Sequence, residues 1–240
     1  MKKITLYLLL SIFLFSCKKN VPTKVVEKHL VKVSVGLAPS PSDVAFVQRT
    51  SLEVGYNQDF SKLIYYSVPN ITSKGIEYDI NNRITKILKE QVLYSGNPYS
   101  GVNTTNLIET NFVYDNTGRI TKIFSIVNNS TNSTSFKYDN IGRLITVANF
   151  DSRVEYQYVG SNQLPCSFEY FIGNVSFWQR KIKFSDKPSP YTSMHGLEFS
   201  LGYYFDKLIL EDGTDYIYDG DYLIKTYNKN SGEAVLYEYQ

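Results

Sequence analysis

Cysteine is nearly missing from this chain: its 240 residues hold two, Cys17 and Cys166. A scaffold stapled by several disulfides is excluded. The setting of Cys17 leaves Cys166 unpaired, and an unpaired cysteine reads as a small buried residue. Histidine is equally scarce, with His29 and His195 far apart and in neither an H-E-x-x-H nor an H-x-H spacing. With no D-x-D-x-D-G loop either, the sequence predicts no metal site and no cofactor. G-x-S-x-G, G-x-x-x-x-G-K and G-x-G-x-x-G are absent, which removes the usual signals of esterases and phosphate binders. Charge of one sign is lacking too. The net charge is +2, and Lys2, Lys3, Lys18 and Lys19 supply part of that excess. The near-neutral remainder has no electrostatic footprint for nucleic acid. Past the first residues no apolar run approaches spanning length, and no window of about 11 residues keeps a helical period.

What is abundant is tyrosine, 21 residues in a chain that is 15% aromatic. Tyrosine suits a half-buried pleated surface, because the ring packs while the hydroxyl stays wet. The chain opens with Lys2 and Lys3, then an apolar stretch from Ile4 to Phe15 that is too short to span a bilayer and reads as an export signal. It closes on Leu14-Phe15-Ser16-Cys17, which resembles the bacterial lipobox. A small residue before the cysteine admits the peptidase, and the thiol takes the lipid. Residues 1–16 are therefore expected to be a lipoprotein signal, residues 17–29 the lipidated Cys17 and a polar tether, and residues 30–240 one β-rich domain. Two or three acyl chains anchor such a protein firmly, at ~0.8 kcal/mol per buried methylene.

Within that domain one unit recurs. It reads Tyr78-Asp79-Ile80-Asn81-Asn82-Arg83-Ile84, Tyr114-Asp115-Asn116-Thr117-Gly118-Arg119-Ile120 and Tyr138-Asp139-Asn140-Ile141-Gly142-Arg143-Leu144. Weaker copies begin at Tyr158 and Tyr218, and an eroded one at Tyr56. Alternating apolar runs flank each copy, so the unit is strand, turn, strand. Asp79, Asp115 and Asp139 are expected to accept from turn amides, and Gly118 and Gly142 to supply the left-handed φ of a bulged turn. Asn82 and Asn162 take that slot in their copies, since Asn tolerates it next best. Asp219-Gly220 fits a shorter, two-residue turn. The recurring arginines are expected to pair with the turn Asp or to lie over the Tyr of the preceding strand. Unequal spacing between copies excludes a strict solenoid and suits a meander.

Other segments read less regularly. Residues 167–186 split into two strands at Gly173-Asn174, and 201–211 and 234–239 read as strands. Residues 95–106 and 128–135, rich in Asn, Ser and Thr, read as exposed loops, as does Lys187-Pro188-Ser189-Pro190. Tyr170, Phe177 and Trp178 are the candidate ligand-facing aromatics.

The copies YDNTGRI and YDNIGRL resemble the YD repeats of Rhs-type proteins. A lipobox followed by loosely spaced YD-like hairpins resembles small Bacteroidota lipoproteins of unknown function, one family of which is described as porin-like. The resemblance covers roughly residues 50–239 and implies a large curled antiparallel sheet or barrel-like domain. The long repeat arrays of Rhs proteins are lacking, so their encapsulating role is not implied. The expectation is an all-β, water-soluble, lipid-anchored envelope protein, at the outer membrane with the periplasmic face favoured by Lys18-Lys19-Asn20. Its partners would be the membrane, through Cys17, and a glycan, lipid or protein ligand. A non-catalytic binding or scaffold module leads; a carboxylate-based, glycosidase-like hydrolase and a small transmembrane β-barrel are the alternatives.

Overall fold

The computed structural model describes residues 28–38, 40, 47–94, 103–192, 194, 197–200, 204–205 and 207–240. The expected signal, Cys17, most of the tether and His195 lie outside the described residues.

The chain runs through β1 (Leu30–Leu37), β2 (Val47–Tyr56), β3 (Leu63–Val68), β4 (Ile71–Tyr78), β5 (Ile84–Tyr94), β6 (Asn103–Tyr114), β7 (Ile120–Val127), β8 (Ser130–Tyr138) and β9 (Leu144–Ala148). It continues through β10 (Ser152–Gln157), β11 (Ser167–Ile172), β12 (Val175–Lys181), β13 (Lys183–Pro188), the single-turn helix α1 (Leu197–Ser200), β14 (Lys207–Leu210), β15 (Thr214–Asp219), β16 (Tyr222–Asn228) and β17 (Glu233–Tyr239). All but β13 and β14 form one 15-stranded antiparallel sheet, in the order β12 back to β1, then β17, β16, β15. The two ends of the chain thus meet side by side in its middle: Val33 pairs with Tyr237 on one flank and Leu52 on the other. The fold is the all-β curled meander the resemblance implies. It does not close, because β12 and β15 are its two edges and do not pair with each other.

Right-handed twist makes so wide a sheet curl, and curling gives it an inside. Leu30, Val54, Leu63, Ile84, Ile87, Phe112, Ile120, Phe136 and Leu144 are buried in one continuous core along that face. The segment after β13 packs against the same core. Tyr191 stands edge-on to Tyr237 with centroids 6.1 Å apart, Phe199 and Tyr204 flank Phe136 at 5.5 and 5.7 Å, and Phe205 meets Tyr156 at 5.1 Å. Met194 and Leu197 are fully buried beneath them.

Several elements differ from the sequence reading. Residues 103–106 belong to β6 and 130–135 to β8, with only the tight Asn128-Asn129 turn between β7 and β8, both residues at positive φ. Residues 201–203 lie outside the described residues, Tyr204 and Phe205 are not in a strand, and the strand of that region is Lys207–Leu210. Lys187 and Pro188 end strand β13 instead of forming a loop. Proline is tolerated there because the two-stranded ladder shifts register between Phe184 and Pro188. Cys166 is exposed. Its backbone continues the sheet, donating to Gln157 O and accepting from Ile182 N, both at 2.8 Å. Pro165 and Ser167 on either side face inward, so period-2 alternation turns the thiol out.

Candidate functional site

The recurring unit is a three-residue hairpin loop with a bulge. Asp79, Asp115 and Asp139 donate their N–H to the carbonyls of Arg83, Arg119 and Arg143, at 2.9–3.0 Å. One carboxylate oxygen accepts from the backbone N–H two and four residues on; the other receives the arginine Nε, at 2.7–2.8 Å. Asn82, Gly118 and Gly142 sit at φ 60°, 87° and 91°. In the copy at Tyr158 the left-handed residue is Gly160, φ 55°, and not Asn162; Asn162 N–H still donates to Val159 O as in the full copies, but Val159 has no carboxylate to hold the turn in their geometry. Gly220, φ 59°, opens a two-residue turn between the paired Asp219 and Tyr222. In the eroded copy Asn57 stands in for the aspartate and Lys62 for the arginine.

The arginines do more than brace their own turns. Each reaches forward and not back: Arg83 lies over Tyr114 at 4.5 Å, Arg119 over Tyr138 at 4.7 Å and Arg143 over Tyr158 at 4.4 Å. Each of these tyrosines in turn donates its hydroxyl to the carbonyl just past the preceding arginine, Ile84, Ile120 and Leu144, at 2.7–2.8 Å. Tyr56, Tyr78 and Tyr239 do the same to Leu30, Leu63 and Leu223. The four copies from Tyr56 to Tyr138 therefore each clasp the next by a hydrogen bond and a cation–π contact, each worth about 1 kcal/mol. Burial pushes the phenols of Tyr78, Tyr138 and Tyr158 up to about 12, keeping the hydroxyls able to donate. The Arg119 backbone N–H, then the Thr117 hydroxyl and the guanidinium, hold the Asp115 carboxyl well below the usual range. The backbone N–H of Arg83 does the same for Asp79. At Asp139 desolvation pushes up, but the hydrogen bonds from Arg143 outweigh it. These residues form a structural rim, and their chemistry is fully used within it.

The opposite case is the inner face. Where β12 and β15 fail to pair, residues from both edges line one cavity of about 400 Å³. Its walls are Tyr156 and Phe168 from one side, Tyr216 and Val235 from the other, and Phe205 and Leu208 from the intervening segment. Arg180, Lys181, Lys207, Glu211 and Glu233 surround this apolar body. Tyr170, Phe177 and Trp178 stand beside the cavity on the β11–β12 hairpin, and none of them lines it. Trp178 packs on Phe168 at 5.0 Å and on Tyr170 at 5.7 Å, yet both it and Phe177 remain exposed. Tyr156 and Tyr216 are the residues sequence reasoning missed. Alternation marks both as strand residues, but only tertiary closure brings them to one cavity.

A second cavity, about 800 Å³, opens on the inner face between β5 and β9. Its lining is polar: Lys89, Thr110, Ser125, Asn132, Thr134 and Asn149, with Phe199 and Tyr204 as aromatic walls. Thr110 and Ser125 share a hydroxyl–hydroxyl bond of 2.8 Å, and Thr134 donates to Asn149 at 2.7 Å.

Among the described residues no group of three or more His, Cys, Asp or Glu is placed to hold a metal ion, and no helix is long and apolar enough to cross a membrane. No protein-family model matches the chain, and no curated protein sequence does. Among solved structures the chain is similar to a porin-like protein from Bacteroides uniformis, at 13% identity and a TM-score of 0.46, over 88% of this chain and 98% of that one.

Proposed function

We propose that this is a lipid-anchored envelope protein acting as a non-catalytic binding module, with the cavity at the sheet's open seam as its ligand site. The single observation that carries the binding role is that cavity. Its walls come from both unpaired edges, and its volume lies in the ~300–1,000 Å³ range of small-molecule sites. Aromatic and aliphatic walls with Arg180, Lys181 and Lys207 nearby suit an amphipathic ligand with an apolar body and an acidic head.

Anchoring is supported by the Leu14-Phe15-Ser16-Cys17 motif. Residues 28–29 enter on the rim that carries the YD turns: His29 bonds to Gln240, and Lys28 pairs with Asp219 at 3.6 Å. A lipid on Cys17 would hold that rim toward the bilayer, and the ten residues 18–27 reach at most roughly 35 Å. A water-soluble wall fits the charge ladder Glu77–Lys86–Glu109, which crosses three neighbouring strands, better than a lipid-facing band does.

Two experiments test this reading. Metabolic labelling with a fatty-acid analogue should mark the wild type and not Cys17→Ala; equal labelling would remove the anchor. Dansyl-undecanoate should bind the full-length protein saturably and at least tenfold more weakly to Phe168→Ala. No binding, or equal binding, would remove the seam site.

A further inference from the structure

The second cavity carries an inference independent of both the lipid and the seam. Lys89 projects from β5 into it and has no ion-pair partner among the described residues. Glu90 and Glu109 are committed elsewhere, to Lys74 and Lys86, and Asp151, which also lines the cavity, makes no ion pair with Lys89. Its ammonium lies 5.8 Å from the centroid of the Tyr66 ring, itself fully packed. An unpaired, largely buried ammonium is a cost that folding alone does not require. Consistent with this, burial pulls the Lys89 amine down to about 8, with no carboxylate to offset it.

Around this one cation the cavity offers hydroxyls and amides, chiefly Thr110, Ser125, Asn132, Thr134 and Asn149, one carboxylate, Asp151, and two aromatic faces, Phe199 and Tyr204. Such a set has a recognisable complement. Hydroxyls and amides both donate and accept, as the hydroxyls of a sugar ring do. Aromatic walls pack against the ring's apolar C–H face. A single ammonium balances a single carboxylate, whereas a phosphate dianion carries a second charge for which the cavity lining holds no second Lys or Arg. We propose that the cavity between β5 and β9 binds an acidic saccharide, a uronate whose carboxylate pairs with Lys89 and whose hydroxyls meet the Ser, Thr and Asn side chains.

The test is isothermal titration of the full-length protein in detergent with trisaccharides of galacturonate, glucuronate and mannuronate. Their neutral counterparts, galactose, glucose and mannose trisaccharides, and inorganic phosphate serve as comparisons. At least one acid should bind tenfold or more tightly than its neutral partner, and Lys89→Gln should erase that preference. Asn132→Ala, which leaves the cation in place, should weaken acid and neutral sugar alike by severalfold, and it decides the question if Lys89→Gln does not fold. The proposal is overturned if no acid binds, if Lys89→Gln binds the acid as the wild type does, if Asn132→Ala changes nothing, or if phosphate binds as tightly as the sugar.

Discussion

At the turns between β4 and β10, Arg83, Arg119 and Arg143 are each spent twice, on their own turn and on the next tyrosine, and the hydroxyls of Tyr114, Tyr138 and Tyr158 each meet a carbonyl. Two strands beyond β10, at the sheet's edge, every residue of β12 is exposed, and Arg180 and Lys181 stand beside a cavity with no such interlock. The two regions use similar residue types in similar strands. They differ in whether a strand's neighbour is another copy of the unit. Where it is, polar groups are consumed in holding the wall together. Where it is not, they are left over, and the cavities lie on that side or on the inner face. The clasped turns lie on the rim of the wall and the second cavity on the inner face of the same strands, and substitutions should sort accordingly.

The largest difference should appear in acid. Asp79, Asp115 and Asp139 all have lowered pKa values in the folded state, so the unfolded chain binds protons first as the pH falls below the ordinary value near 4. Their contribution is complete above that value and is lost on the way down through the folded pKa. The melting temperature should drop steeply from pH 4 to pH 2, and Asp79→Asn, Asp115→Asn and Asp139→Asn combined should flatten that drop. A drop of equal steepness in the triple variant would mean that the turns do not carry it.

Next in size is Gly118→Val. A β-branched residue at φ 87° is strained, and its Cβ would stand 3.3 Å from Nη1 of Arg83, disturbing the clasp from the preceding copy as well. A loss of about 1–3 kcal/mol is expected in thermal or denaturant melts. Gly118→Asn should lose less, as Asn82 adopts the same conformation at φ 60°.

Lys89→Met moves in the other direction. Removing an unpaired buried ammonium should raise stability, on the order of 2 kcal/mol at neutral pH. The folded-state pKa, about 8, lies below that of an unfolded lysine, so the wild type gains stability as pH rises from about 8 to 10 and the gap to Lys89→Met should close there. Melts at pH 7 and pH 10 check both halves. A destabilised Lys89→Met would place this lysine with the wall instead of the cavity. The smallest effect belongs to Tyr138→Phe, which loses one 2.8 Å bond to Ile120 O and keeps its ring under Arg119, at about 1 kcal/mol.

How much of this the residues announce depends on how local the cause is. The YD turns are legible because an Asp, a tolerant glycine or asparagine and an Arg lie within five positions, and their bonds close within the hairpin. The forward reach of Arg83, Arg119 and Arg143 is not legible, because it depends on which strand lies alongside. Strand β8 reads as a loop for a different reason. Its Thr131-Asn132-Ser133-Thr134-Ser135 run has no apolar alternation because that stretch lines a polar cavity where other strands line the core. Hydrophobic periodicity reports an apolar inside, and a wet inside erases the signal. The misread strand supplies Asn132 and Thr134 to the proposed saccharide site, and a local pattern breaks first where a sequence serves something other than the core. Cys166 reads as core from its residue type, yet alternation between Pro165 and Ser167 decides its direction.

The central claim is that one sheet contains a locked wall and an unlocked seam, and native-state hydrogen exchange reads both at once. The Asp79, Asp115 and Asp139 amides, bonded across their turns, and the paired amides of β5 to β9 should exchange at rates approaching those of global unfolding. The amides along β12 should exchange orders of magnitude faster under the same conditions. If β12 is protected as strongly as β7, the seam is not open and the division between wall and site does not exist.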